Sequence, residues 1–288
     1  MKPKLIVLDL DGTLLNSKKQ ISKRNLFALQ KVKAEGINII FATARPPRAV
    51  KYEDINLFSF GTVVFYNGAL FQCNVTDREI HYSISKGLVG SIFDYCLSVD
   101  PEANISVEVK DEWFTYKSLD YREMMKITTT PTIISIEKLK TYDFTKILIT
   151  DCKDSEQIIN KFGDQVNILS TDDGKLIQIM SIKSSKENAV KYLIESLGYK
   201  MSDVMCFGDD FNDLGLFQSC GISIAMGNAI KELKEVATEI TETNDNDGVA
   251  LILERIPGIS QMQGNFSKHL FTLQVIPLTG NVSSINKA

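Results

Sequence analysis

Two carboxylates one residue apart, Asp9 and Asp11, follow the unbroken apolar run Leu5-Ile6-Val7-Leu8 and precede Gly12-Thr13. A carboxylate is ionised at neutral pH, since its unperturbed pKa is ~3.9, so it can attack an electrophile or bind a metal without a base. Crowding two of them where a buried strand stops is costly unless a cation or a proton compensates. In open α/β sheets, ligands bind just outside that end of the strands. The spacing alone fits a surface acid pair capping the next turn equally well. Three further polar groups stand at comparable places: Thr43, Lys186, and Asp209 with Asn212 and Asp213. Phosphoryl transfer needs such parts: an oxygen nucleophile, a proton donor for the leaving group, a divalent cation, and donors for the non-bridging oxygens. Each has a plainer reading. Thr43 could merely end a strand, and Lys186 could be a solvated lysine at a helix start, although the helix dipole disfavours a cation there. Asp213 could be a helix N-cap, and Asp210 is read as a solvated acid.

These groups must be held by alternating strands and helices. Leu5–Leu8 is short, branched and apolar, as a buried strand should be. Ser22 is placed to cap a helix whose apolar residues fall at Leu26, Leu29 and Val32, and Gly36 stops it. A second strand covers Ile37–Ala42 and ends at Thr43-Ala44-Arg45, where Pro46 and Pro47 block regular continuation. A third covers Thr62–Tyr66 and ends at Asn67-Gly68. Helical crossovers between such strands imply a parallel sheet. From about Glu79 the character changes to β-rich segments at Asn104–Tyr116, Pro131–Glu137, Lys146–Thr150 and Val166–Ile179, with Asp172-Asp173-Gly174 as a hairpin turn. Alternation resumes with a helix over Lys186–Leu197, a strand Val204–Phe207 and a strand Ile222–Met226. A helix from about Ala229 to Ala237 and another after Gly248 complete it. The expected fold is α/β, a Rossmann-like parallel core over 1–79 and 183–288 with an α+β domain, 80–182, inserted into it. Residues 258–288 form an uncertain tail.

Composition narrows the class. The chain has 288 residues, 44% of them hydrophobic, and a formal charge of −4 with both signs interspersed. That gives no basic field for nucleic acid, and no apolar stretch is long enough to span a bilayer. Five scattered cysteines without a Cys-x-x-Cys pair fit reduced thiols in a cytoplasmic protein better than a disulfide framework or a zinc site. Only His81 and His269 occur, neither beside a nucleophile motif, so chemistry here runs on carboxylates.

In the order of these motifs the chain resembles a haloacid dehalogenase-superfamily phosphatase of the Cof-type group, whose cap domain lies between the second and third motifs. Asp9-Leu10-Asp11-Gly12-Thr13 matches the first motif, Thr43 the second, Lys186 the third, and Gly208-Asp209-Asp210-Phe211-Asn212-Asp213 the fourth. The resemblance runs from about Lys4 to Leu253. It implies that Asp9 attacks phosphorus to form an aspartyl phosphate, and that Asp11 protonates the leaving oxygen and then activates water. It also implies a Mg2+ ion held by Asp9, the Asp11 carbonyl, Asp209 and Asp213. Leu10, Thr43, the backbone at Ala44, Lys186 and Asn212 would hold phosphoryl oxygens. The group's usual second motif is Thr-Gly-Arg, whereas this chain has Thr43-Ala44-Arg45, and alanine disfavours positive φ and close backbone approach.

The expectation is therefore a Mg2+-dependent phosphatase acting on small phosphorylated metabolites, with sugar phosphates as the leading class and no nucleic-acid or membrane partner. A phosphomutase of the same superfamily is the rival, and a non-catalytic binding protein a third reading. Specificity is expected from the inserted domain, where Trp113, Phe114, Tyr116 and Tyr121 are aromatic candidates for its surface, although core packing is the commoner fate of such residues.

Overall fold

The computed structural model describes residues 2–50, 55–119, 129–150, 155–171 and 176–259. Tyr121, Cys152, His269, the Asp172-Asp173-Gly174 turn and the tail from residue 260 lie outside the described residues. Strands β1 (Leu5–Leu8), β2 (Asn38–Ala42), β3 (Thr62–Phe65), β4 (Leu70–Cys73) and β5 (Arg78–His81) come first. Then follow β6 (Asn104–Val109), β7 (Glu112–Thr115), β8 (Thr132–Ile133), β9 (Lys146–Thr150), β10 (Val166–Thr171) and β11 (Leu176–Ser181). Last come β12 (Val204–Gly208), β13 (Ile222–Ala225) and β14 (Glu239–Ile240). The helices are α1 (Lys23–Ala34), α2 (Lys86–Val99), α3 (Ile136–Leu139), α4 (Ser155–Phe162), α5 (Lys186–Ser196), α6 (Leu214–Ser219), α7 (Lys231–Val236) and α8 (Gly248–Leu253).

An eight-stranded sheet in the order β14-β13-β12-β1-β2-β3-β4-β5 forms the core, parallel from β14 to β3. All four residues of β1 are buried, as an apolar strand at the centre of such a sheet requires. Ser22 caps α1 by accepting the Asn25 N–H at 3.0 Å, Lys31 and Lys33 suit its last turn, and Gly36 follows at φ 70°. The antiparallel edge β3-β4-β5 was not expected from the parallel pattern. Its cause is local: Tyr66, Asn67 and Gly68 have φ of 52°, 50° and 99°, so the chain reverses within one tight turn instead of crossing over. β5 extends to His81 within this sheet.

A second sheet, β10-β11-β9-β6-β7-β8, has its own apolar core. Val89, Ile92 and Phe93 of α2 and Ile158 and Phe162 of α4 pack on Ile105, Val107, Ile147 and Ile177 of its strands. Trp113 and Phe114 are buried, Phe114 stacks on Tyr142 at 5.6 Å, and the Tyr116 hydroxyl donates to the Ala103 carbonyl at 2.5 Å. Packing, not a ligand surface, takes up these three aromatics. No helix among the described residues is long and apolar enough to cross a membrane.

A buried polar network ties the two sheets together beside the Tyr66 turn. The Tyr66 hydroxyl lies 2.5 Å from Glu108 Oε2, to which it donates, and 2.6 Å from the Lys110 carbonyl. Arg48 Nη2 meets the same Glu108 oxygen at 2.7 Å, and the Lys146 ammonium sits over the Tyr66 ring. Burial and the Glu108 carboxylate push the phenol up, so Tyr66 stays a neutral donor. On the far side His81 Nε2 is 2.8 Å from Thr145 Oγ1. Tyr66→Phe should lower stability by about 1–3 kcal/mol, because it strips a buried carboxylate of a hydrogen bond. Urea unfolding of the two proteins measures this, and an unchanged midpoint would remove the network from the account of how the sheets are joined.

Candidate active site

Adjacent parallel strands β12, β1 and β2 end side by side, so the residues after them converge. Asp9 follows β1, Thr43 follows β2, and Asp209 follows β12. Lys186 comes from the first turn of α5, which Ser185 caps by accepting the Asn188 N–H. Its ammonium is fully buried and contacts Asp9 Oδ1 and Asp213 Oδ1, each at 2.7 Å. Two carboxylates thus offset the unfavourable end of the helix dipole. Burial works against the Lys186 charge, but Asp213 and Asp9 outweigh it and hold the ammonium above the ordinary lysine value.

Asp213 does not cap α6 with its side chain. It is buried, and its second oxygen accepts the N–H groups of Asp209 and Asp210 at 3.1 and 3.3 Å. One carboxylate therefore fixes both the lysine and the Asp209 loop. Gly208 makes room for it, since a Cβ there would lie 2.4 Å from the Asp213 carboxyl carbon. Asp210 is exposed, as its reading as a solvated acid requires, and it accepts the Phe211 N–H at 2.8 Å, taking the capping role that Asp213 could have filled. Asp209 accepts from Thr13 Oγ1 at 2.9 Å and packs against Gly12, where a Cβ would sit 2.0 Å from Asp209 Oδ2. Gly12 also has φ 74°, so both backbone and space demand glycine.

Oxygens of Asp9, Asp209 and Asp213 all lie within 4.8 Å of one another. Three carboxylates face one ammonium, an excess of negative charge that a divalent cation would match, and hard oxygen donors suit magnesium. The carboxyl groups register this excess. Burial foremost, with Asp213 and Asp209 adding and Lys186 opposing, pushes Asp9 well above the usual carboxylate range. Burial, opposed by the Thr13 hydrogen bond and reinforced by Asp213, raises Asp209 to about 6.

Asp11 has other company. Arg45 grips it with two nitrogens, Nε to Oδ2 and Nη2 to Oδ1, each at 2.5 Å, and Lys19 Nζ meets Oδ1 at 2.7 Å. Burial alone would raise this carboxyl, but Arg45 and Lys19 outweigh it and hold Asp11 below its ordinary value. Lys19 reads in the sequence only as part of a polar turn. Arg45 stands in the second motif, yet nothing in its spacing says it would reach Asp11.

Thr43 is buried, its Oγ1 accepts the Arg45 N–H at 3.2 Å, and its carbonyl accepts the Asn67 N–H at 2.9 Å. Ala44 lines the cavity and has no positive φ, so alanine fits without strain where the family pattern has glycine. The Leu10 side chain is fully buried, which leaves its main chain as what it offers the site. Asn212 Nδ2 donates to Asn67 Oδ1 at 3.0 Å, while Asn212 Oδ1 is buried without a partner.

These groups open into a cavity of about 600 Å³ lined by Asp9, Asp11, Thr43 and Asp209 from the core. Ile168, Leu169, Ser170 and Gln178 of β10 and β11 close its other side. Sequence reasoning placed specificity in the inserted domain but missed these residues, because they alternate with core positions along two ordinary strands and carry no motif.

A family model described as haloacid dehalogenase-like hydrolase matches residues 6–253. The Bacillus subtilis (strain 168) protein YxeH is 32% identical, over 86% of this chain and 96% of its own length. The 5-amino-6-(5-phospho-D-ribitylamino)uracil phosphatase YitU of the same organism is 28% identical, over 88% of this chain and 97% of its own. A crystal structure of a haloacid dehalogenase-like hydrolase from Bacteroides thetaiotaomicron, 28% identical, superposes with a TM-score of 0.74 over 88% of this chain and 100% of that one.

Lys186→Met should cost about 3–5 kcal/mol at pH 7 without added metal, since it leaves Asp9 and Asp213 buried with no ammonium. Adding Asp213→Asn should recover part of the loss. Denaturant unfolding of the two variants tests this, and equal stability of Lys186→Met and the parent would dissolve the charge argument.

Proposed function

The chain belongs to the haloacid dehalogenase-like hydrolase family, and on that premise we propose that it is a magnesium-dependent phosphatase of small phosphorylated metabolites, sugar phosphates foremost. The observation that carries this reading is the convergence of Asp9 and Asp209 on the wall of one cavity, with the buried Lys186 and Asp213 packed behind them.

In the proposed reaction an Asp9 oxygen attacks phosphorus as the phosphorus–oxygen bond to the alcohol breaks. Asp11 gives that alcohol oxygen a proton. Water then attacks phosphorus as the Asp9 oxygen–phosphorus bond breaks, Asp11 takes the water's proton, the Asp9 carboxylate is restored and inorganic phosphate leaves. Asp11 is held as a carboxylate by Arg45 and Lys19, the state required for the second half. Incoming phosphoryl oxygens, competing for the same two cations, would loosen that grip and favour the protonated acid needed in the first half. Lys186 orients the Asp9 carboxylate and neutralises charge beside it, and Thr43, the main chain at Leu10 and Ala44, and Asn212 are the proposed phosphoryl holders.

Asp9, Asp209 and the Asp11 main-chain carbonyl would hold the magnesium ion, with Asp213 behind them. When bound, the ion screens the repulsion between the Asp9 carboxylate and the phosphoryl dianion. The inserted domain is proposed as the cap that excludes water and selects the alcohol, roughly over residues 80–182.

Phosphate release from sugar phosphates with magnesium should fall on the order of 10³-fold or more in Asp9→Asn. Undiminished release by the folded variant would sink the mechanism. A phosphorylated product formed only with a bisphosphate activator would favour the phosphomutase reading instead.

Magnesium should also be linked to protonation. With Asp209 raised from 3.8 to about 6, the metal-free fold keeps that proton longer than the unfolded chain. Its stability therefore declines as pH rises through this window, and the ion must displace the proton to bind. The rise in Tm on adding magnesium should accordingly be larger at pH 7.5 than at pH 5, and a shift independent of pH would remove Asp209 from the site.

A further inference from the structure

Cys206 lies in β12 and Cys220 follows the last residue of α6, and their sulfurs are 2.8 Å apart. A disulfide holds its sulfurs at ~2.05 Å, so a bond between them needs an approach of less than about 1 Å. The two chain positions are fixed independently of that contact. Cys206 pairs in register with Val7 of β1 on one side and with Ser223 of β13 on the other. The Cys220 N–H donates to the Leu216 carbonyl at 3.0 Å, and the next N–H, that of Gly221, donates to the Met201 carbonyl at 2.9 Å. A Cβ at Gly221 would lie 2.2 Å from the Ser202 carbonyl oxygen, so the chain after α6 runs tightly against that backbone. The fold itself, and no collision of mobile thiols, presents the sulfurs to each other.

The two thiols differ in access and in acidity. Cys206 is fully buried and Cys220 half-buried, so a small oxidant reaches Cys220 first. A hydrogen bond with Cys206, against the effect of burial, holds the Cys220 thiol below its ordinary value, while burial pushes Cys206 well above its own. An accessible thiolate with a second sulfur held beside it has the two parts that disulfide formation by peroxide needs.

We infer that Cys206 and Cys220 form a peroxide-sensitive dithiol whose oxidation clasps the end of α6 to β12. The Cys220 thiolate attacks one oxygen of hydrogen peroxide, the O–O bond breaks, and hydroxide leaves as Cys220 becomes a sulfenic acid. The Cys206 sulfur then attacks the Cys220 sulfur, the S–O bond breaks, and the departing hydroxide takes the Cys206 proton as water. The first hydroxide takes up the proton that Cys220 had released, so two thiols and one peroxide become one disulfide and two waters. Cys206 thereby spares its partner, because the sulfenic acid is consumed before a second peroxide can carry it to the irreversible sulfinic acid. The loop so closed, 206–220, carries Asp209, Asn212 and Asp213. Tying its ends restricts the unfolded chain, so the oxidised protein should be the harder one to unfold.

Treatment of the full chain with an equivalent of hydrogen peroxide, followed by mass spectrometry, tests the inference. Trypsin leaves both sulfurs in one peptide, 201–231, which holds no other cysteine and no internal lysine or arginine. That peptide should become about 2 Da lighter and refuse iodoacetamide, and dithiothreitol should reverse both changes. Cys220→Ser should prevent them. Cys206→Ala should instead leave Cys220 as a sulfenic acid that dimedone traps and that excess peroxide drives on to the sulfinic acid. The disulfide form of the parent should melt at least about 3 °C above its reduced form, a rise that Cys220→Ser treated in the same way should not show. Both cysteines of the peptide still open to alkylation after treatment would overturn the dithiol and leave a packing contact between two small side chains. No dimedone adduct in folded Cys206→Ala would overturn the sulfenic route, and a disulfide that forms without raising the Tm would overturn the clasp.

Discussion

Everything at this site follows from one imbalance: three carboxylates, Asp9, Asp209 and Asp213, crowd beside one buried ammonium, that of Lys186. Desolvated charge is tolerated only when paired, and here the pairing is incomplete by design of the fold. The lysine orients Asp9 and anchors Asp213, and Asp213 in turn ties down the backbone that presents Asp209. What remains unneutralised is negative and lies where the cavity opens. The three carboxylates supply hard oxygen donors of the kind a divalent cation takes. Two glycines let the acids crowd this closely, Gly12 against Asp209 and Gly208 against Asp213.

Much of the core was legible in the sequence because its signals are local. The apolar run of β1, the Ser22 cap of α1 and the strand-end positions of Asp9, Thr43 and Asp209 are each written within a few residues. The parts that escaped notice depend on what folding brings together. Lys19 and Arg45 reach Asp11 from a turn and from the loop after another strand, and no spacing announces it. Asn67-Gly68 marks a turn, but Tyr66 holds a left-handed backbone that its residue type disfavours, so nothing local says the chain pairs straight back along β3. Trp113, Phe114 and Tyr116 could serve a ligand surface or a core, and the second sheet takes them as packing and cover, the commoner fate of aromatics. The residues that do line the cavity, Ile168, Leu169, Ser170 and Gln178, belong to two strands legible as β-structure but without any motif to mark them as lining.

The turn that carries Tyr66 has two tasks. It sends the chain back along the sheet edge, and it aims a phenol into the polar network of Glu108, Arg48 and Lys146. The same turn places Asn67 against the Thr43 carbonyl and the Asn212 amide. The junction between the two sheets and the wall of the cavity are thus built from neighbouring residues. A disturbance of one is passed directly to the other, through hydrogen bonds and not through a long relay.

Strand order also governs when the site can exist during folding. β1 lies between β2, a close neighbour in sequence, and β12, whose Val204 pairs with Leu5. While the chain is being synthesised, one edge of β1 can be covered early, but the other stays open until residues near Gly208 have emerged. Pairing over so long a separation is slow, because loop closure is paid before contacts reward it. Asp9 and Asp11 therefore sit for most of synthesis at an unfinished sheet edge, and they meet Asp209 and Asp213 only when that long-range pairing closes.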